Sequence, residues 1–209
     1  MTTAYLRFLF GGDAAGNEPE PTIEPPRPTA GADERSACEA LQDFTSRDDL
    51  ERWGSGALRI VAAQIAAAAR PHIGPAVHRY HNGERLRLVV EIAANTAHDG
   101  TALGVAFSIR NVKALNVLTA TTHDAGLRLP ALPAGGVLRV AFEFDNVLAR
   151  GEYGVVVAVE ELVGDERRYL DFVENAFLIE VLDERPPYAV VSLPVHVEVS
   201  ADTTQLEGR

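Results

Sequence analysis

The densest run of side chains able to do chemistry lies between two apolar stretches, at Arg110, Asn111, Lys113, Asn116, Thr119, Thr121, Thr122 and His123. Guanidinium, amide, hydroxyl and imidazole groups together donate and accept hydrogen bonds in many directions. That set suits a polar ligand held by several modest contacts, and Arg110 and Lys113 would be the natural partners of a phosphate or other anion. The competing reading is a solvated loop and edge strand. Tyr80 and Tyr169 offer flat apolar surface as stacking platforms, although a tyrosine packed over a sheet edge presents the same signal. Trp53, flanked by Gly54 and Gly56, would either anchor the preceding chain to the fold or act as a further platform.

Reaction chemistry is not indicated. A nucleotide-binding P-loop needs a lysine reaching out of a glycine cradle, and the sole lysine, Lys113, follows Asn111-Val112. There is no G-x-S-x-G, H-E-x-x-H or C-x-x-C. The six histidines are scattered, and the close pair His78 and His81 has no obvious third ligand for zinc. Glu160-Glu161 and Asp183-Glu184 read as solvated acids at strand ends rather than as the facing carboxylates of a glycosidase. The expectation is a protein without catalytic residues, metal or other cofactor.

The elements that must position the polar run are strands. At 209 residues and 46% hydrophobic content, the chain can build one sandwich with additional segments. Its 19 basic and 30 acidic residues give a net charge of −11, which repels phosphate backbones, so nucleic acid is not an expected partner. Cys38 is the single cysteine, so no intrachain disulfide can form, as fits a reducing compartment. No apolar run is long enough to span a membrane, and Tyr5–Phe10 is too short for a secretory signal, so the expected location is the cytoplasm. Arginine-heavy, alanine-rich usage points to a GC-rich bacterial source.

Residues 1–12 read as a short helical end of a preceding domain, stopped by Gly11-Gly12. Residues 13–51 read as a flexible, Pro-rich linker, with a short helix near 34–52 around Leu41, Phe44 and Leu50. From Trp53 the apolar period becomes two. Leu58/Ile60/Ala62, Leu86–Ile92, Val105/Phe107/Ile109, Leu138–Phe144, Tyr153–Val159, Phe177–Val181 and Val191–Val199 each alternate with polar or small residues. Turn signals separate them, including His81-Asn82-Gly83-Glu84 and Pro133-Ala134-Gly135-Gly136. The Ala62–Ala69 run could be helical instead. Seven to eight such strands over 52–200, with a disordered tail at 201–209, predict an all-β, immunoglobulin-like antiparallel β-sandwich. Tyr153 reads as the corner tyrosine of such a sandwich.

Several segments occur in a telling order: Arg52-Trp53-Gly54-Ser55-Gly56, Tyr80–Leu88, Gly104–Arg110, Thr119–Thr122, the Leu148-Ala149-Arg150-Gly151-Glu152-Tyr153 run and Asp171 before Ala176–Val181. Together they resemble the C-terminal carbohydrate-binding domain of Wzt, the ATP-binding subunit of bacterial O-antigen polysaccharide ABC transporters, over about residues 52–195. Thr3–Phe8 is similar to the last helix of such a transporter's nucleotide-binding domain. A chain starting there would lack the ATPase, in keeping with the missing P-loop.

The resemblance implies binding of O-antigen polysaccharide at its modified non-reducing end, to select it for export at the inner face of the inner membrane. It also implies a homodimer, with a terminal strand exchanged in some members. Here 189–199 would be that strand, unless it is an ordinary edge. Further partners would be the transporter's ATPase domain and membrane subunit in the full-length protein. The candidate carbohydrate-binding residues are then Arg110, Asn111, Lys113, Asn116, Thr119, Thr121, His123 and Tyr169. Two other readings stay open. One is a structural or dimerisation sandwich that couples the ATPase to a partner without touching glycan; the other is a carbohydrate-binding module detached from a secreted glycosidase.

Overall fold

The computed structural model describes residues 41–68, 78–164, 166–185, 188–193 and 195, all within the unit Cys38–Arg209. The expected helical end at 1–12, most of the linker and the tail at 201–209 lie outside the described residues. Those described contain strands and turns but no helix.

In chain order the strands are β1 (Gln42–Asp43), β2 (Arg52–Trp53), β3 (Leu58–Ala67), β4 (His78–His81), β5 (Arg85–Ala94), β6 (Leu103–Asn111), β7 (Asn116–Thr121), β8 (Val137–Asp145), β9 (Gly151–Val163) and β10 (Glu166–Leu182). One sheet runs β1-β3-β5-β8 and the other β2-β10-β9-β6-β7, with β4 also pairing β10. All pairings are antiparallel except β4 with β10, which is parallel. The predicted two-sheet antiparallel sandwich is the architecture observed.

The core fills the space between the sheets. Leu58, Ile60, Ile65, Leu86, Leu88, Val90 and Ile92 face Val105, Phe107, Ile109, Val155, Val157, Val159, Phe177, Ile179 and Val181. This is the period-two alternation of the sequence put to use. In β3 the alternation changes phase. A register shift between Ile60 and Ala62 turns Ala63, Ile65 and Ala67 inward, where an unbroken reading had placed Ala62. One extra residue in a strand moves every later side chain to the opposite face.

Three further expectations change. Residues 41–52 carry no helix; β1 pairs with β3, and Phe44 and Leu50 lie in the core, so the sandwich starts before residue 52. Their apolar spacing satisfies a sheet edge as well as it would a helix face. Tyr80 is buried and its hydroxyl donates to the Ile65 carbonyl at 2.7 Å, so it presents no platform. The run from 189 does not form an extended strand in its described part. Only Val191 bridges, to Leu148, with Ala149 N–H donating to Val190 and Ser192 N–H to Val147; residues 194 and 196–199 lie outside the described residues. Tyr153 does act as a corner, donating to the Ala149 carbonyl at 2.8 Å four residues upstream.

The two sheets are pinned together by a buried ion pair. Asp171 on β10 accepts the Ile60 backbone N–H of β3 at 2.7 Å and pairs with Arg52, whose guanidinium also donates to the Ile60 carbonyl at 3.0 Å. Removing one member would leave the other charged and out of water. Asp171→Ala is expected to cost about 3–5 kcal/mol in urea unfolding, and Asp171→Asn distinctly less, because the amide oxygen still accepts from Ile60.

Candidate functional site

The two sheets present unlike outer faces to solvent. On β5 and β8, directly opposed residues pair by charge: Arg85 with Asp145 at 3.0 Å, Arg87 with Glu143 at 2.5 Å and Arg139 with Glu91 at 2.6 Å. Exposed pairs of this kind add little stability each, and they leave a face covered in solvated charge. The outer face of the six-stranded sheet is instead built from small and aromatic residues.

Strand register arranges this second face in rows. One row crosses Gly104, Glu160 and Tyr169. The next crosses five strands, from Thr121 through Ala106, Ala158 and Phe172 to Trp53. A third holds Thr119, Ser108 and Val156, and a fourth Asn116, Arg110, Gly154 and Leu178. Ala106, Val156, Ala158 and Phe172 form a cluster separate from the main core, with Tyr169 packed against it. Because alanine, glycine and serine project little, the middle of the sheet is a shallow floor and the larger side chains stand around it.

Aromatic residues form one wall. The Trp53 ring stacks on Phe172 at 4.6 Å and 21°, and Tyr169 meets both edge-on at 5.0 Å. Trp53 remains 50% exposed. Local backbone geometry explains its position. Gly54 has φ +138°, and a Cβ there would come within 2.6 Å of the Leu170 carbonyl oxygen, so only glycine lets the chain hug β10 at this point. Gly56 N–H then donates to the Leu170 carbonyl at 2.8 Å. The Trp-Gly-Ser-Gly sequence therefore lays an indole beside Phe172.

The opposite side is polar. The Thr119 and Ser108 hydroxyls are hydrogen-bonded to each other at 3.0 Å. Arg110 is held from three directions: it donates to Asn116 Oδ1 at 2.8 Å, pairs with Glu174 and lies over the Phe172 ring at 5.7 Å. Phe172 and Tyr169 of the aromatic wall and the polar side chains opposite enclose a depression of about 100 Å³, bordered also by Arg110, Asn116, Thr119 and Glu160, with Trp53 beyond Phe172.

Of the eight residues singled out from sequence, Arg110, Asn116, Thr119 and Tyr169 line this depression. The other four stand elsewhere. Thr121 shares the face but is buried, its hydroxyl accepting the Asp124 N–H at 2.9 Å. His123 packs over Gly104, where any Cβ would collide with its ring. Asn111 uses its side-chain oxygen to hold the β6–β7 turn, accepting the N–H of Lys113 at 3.0 Å and of Leu115 at 3.1 Å. Lys113 is exposed in that turn and does not border the depression. Sequence reading missed Ser108, Phe172 and Arg167, and it took Glu160 for a solvated acid where the structure buries it. The outward alternation of β6 and β9 could have signalled Ser108 and Glu160; Phe172 depends on a register shift between Tyr169 and Asp171 that no local pattern announces.

Glu160 is an unusual member of this wall. Its side chain is buried, its oxygens have no hydrogen-bond donor among the described residues, and its ionic partner there is Arg167, 3.3 Å away. Burial pushes its carboxyl above the ordinary carboxylate range; Arg167 and His123 oppose the shift and Asp124 adds to it. A group whose folded pKa is raised favours folding below its unfolded pKa, and that contribution is lost as pH rises through the folded value. Glu160→Gln is therefore expected to unfold at a higher temperature than wild type at pH 7. The difference should close as both are taken to about pH 4, near the ordinary glutamate pKa, when melting is followed by circular dichroism.

No curated protein matches the chain in sequence. The Wzt C-terminal domain family matches residues 49–193. Among solved structures, the crystal structure of the C-terminal domain of Wzt superposes with a TM-score of 0.64 at 15% identity, covering 74% of this chain and 90% of that one. A Niemann-Pick type C2 protein from Japanese carpenter ant gives 0.45 at 9% identity, over 64% of this chain and 98% of that one. A β-glucosidase from Listeria innocua in complex with glucose gives 0.31 at 14% identity, over 64% and 16%. The last two are too distant in shape to carry an argument, whereas the first shares the sandwich fold. With the family matched across most of its length, the chain belongs to the Wzt C-terminal domain family.

Proposed function

We propose that this domain binds O-antigen polysaccharide on the outer face of the six-stranded sheet and selects it for export by an ABC transporter. The observation that carries the reading is the half-exposed Trp53 stacked on Phe172, which in turn borders the hydroxyl-lined depression. A sugar ring has an apolar C–H face and a polar edge, and it needs an aromatic plane next to hydrogen-bonding groups. Membership of the Wzt C-terminal domain family supports O-antigen as the class of glycan. The domain works by binding and not by catalysis in this reading, since the two acids nearest the floor each face an arginine, Glu160 with Arg167 and Glu174 with Arg110.

In the full-length transporter the domain would act at the cytoplasmic face of the inner membrane, together with the ATPase domain and the membrane subunit. No helix among the described residues is long and apolar enough to cross a membrane. Self-association as a homodimer is part of the proposal, supported by the exposed apolar side chains of Tyr188, Leu193 and Val195.

Trp53→Ala is expected to weaken binding of the source organism's O-polysaccharide at least tenfold in calorimetric titration, a loss of about 1.4 kcal/mol, with the sheet signal in circular dichroism unchanged. Saturable binding by wild type that Trp53→Ala leaves intact would remove the platform. An intact fold that binds no O-polysaccharide would favour a sandwich that only couples the ATPase to a partner.

A further inference from the structure

The depression shares one bordering residue, Arg110, with a second, larger hollow on the same face. This hollow, about 570 Å³, is bordered by Arg110, Gly154, Glu174, Asn175, Leu178 and Glu180, among others. Its volume falls within the range of roughly 300–1,000 Å³ typical of small-molecule sites. Arg110 borders both hollows, and its partner Glu174 borders the larger one, so their ion pair stands at the boundary.

Two irregularities shape the second hollow. Between Val173 and Phe177 the β10 ladder slips, and Asn175 takes φ +45°, a left-handed conformation that asparagine tolerates better than most residues. Its amide oxygen then lies over Gly154, where a Cβ would collide with it. Gly154 sits between Arg110 on β6 and Leu178 on β10, so it forms a trough between two standing side chains. Leu178 is 72% exposed, an uncovered apolar wall of the larger hollow.

Distance decides what could occupy both hollows. From Ala106 to Arg110 on β6, and from Ala158 to Gly154 on β9, is four residues, about 13 Å at ~3.3 Å per residue. One monosaccharide ring cannot touch the Trp53 row and the Leu178 row together. Charge decides the ligand's character. Arg110 pairs with Glu174, Arg167 with Glu160 and Arg79 with Glu180 at 2.6 Å, while Glu152 adds a further carboxylate to the larger hollow. Cations already paired with carboxylates offer an anion little, and the additional acid repels it.

We infer that the face is one continuous groove for an uncharged oligosaccharide of several residues, with Trp53 holding one ring and Gly154, Asn175 and Leu178 cradling the residues beyond it. This inference rests on the glycan reading above and adds chain length and charge to it.

The test is calorimetric titration of the 209-residue chain with size-fractionated O-chain fragments, released by mild acid from the source organism's lipopolysaccharide. Wild type should bind fragments of four or more residues at least tenfold more tightly than those of one or two. Leu178→Ala should lose that gain while keeping wild-type affinity for the short fragments, and Trp53→Ala should weaken both. Raising salt from 50 to 500 mM should change wild-type affinity less than twofold. Equal affinity for short and long fragments, or a Leu178→Ala variant that keeps the gain, would overturn the extended groove and leave the Trp53 site standing. A steep fall with salt would overturn the uncharged ligand. Failure of every fragment to bind would overturn the glycan reading itself.

Discussion

The seventeen-residue strand β10 must find partners for the backbone of its whole length, and the functional face follows from how it does so. A buried N–H or carbonyl without a partner is costly, and β10 meets the demand with three neighbours. β9 runs along one side, while β2 and then β4 pair with successive stretches of the other. Its two register shifts take up the mismatch. One brings Phe172 out beside Trp53, and the other lifts Asn175 over Gly154. A perfectly regular β10 would carry neither feature.

The buried Arg52–Asp171 pair couples this face to the opposite sheet. Arg52 and Trp53 are consecutive on β2 and point to opposite sides. The arginine reaches inward to Asp171 and the Ile60 carbonyl, and the tryptophan lies outward on Phe172. A two-residue strand is marginal by itself, and the inward ion pair holds it where its outward neighbour is useful. The indole's position is thus set by core electrostatics as well as by stacking.

Charge is handled differently on the two outer faces. On β5 and β8 the ion pairs are exposed, cross-strand and well solvated, so they keep that surface soluble and pin register. On the six-stranded sheet the Arg110–Glu174 pair and the Glu160 carboxylate are less exposed and frame a floor of small residues. Arg110, fixed by Asn116, Glu174 and Phe172, loses little freedom on meeting a ligand, which is the advantage of preorganisation. Glu160 carries the opposite cost: a carboxylate out of water is tolerated beside Arg167 at the expense of stability near neutral pH.

Period-two alternation in Leu86–Ile92, Val105–Ile109 and Tyr153–Val159 was enough to determine a sandwich, because side chains on a pleated strand must alternate between core and solvent. The order of the Trp-Gly-Ser-Gly, Gly104–Arg110 and Leu148–Tyr153 segments pointed to the family; Arg110, Asn116 and Thr119 were legible as candidates since hydrogen-bonding side chains on an edge hairpin stand out locally, and Tyr169 as a stacking platform. Partnership was not legible. That Asn111 closes a turn, that Arg110 is neutralised by Glu174 sixty-four residues away, and that Phe172 and Trp53 are neighbours are consequences of register. Register is fixed by bulges and by which strand ends up beside β10, and those are decided only when two sheets must bury one core together.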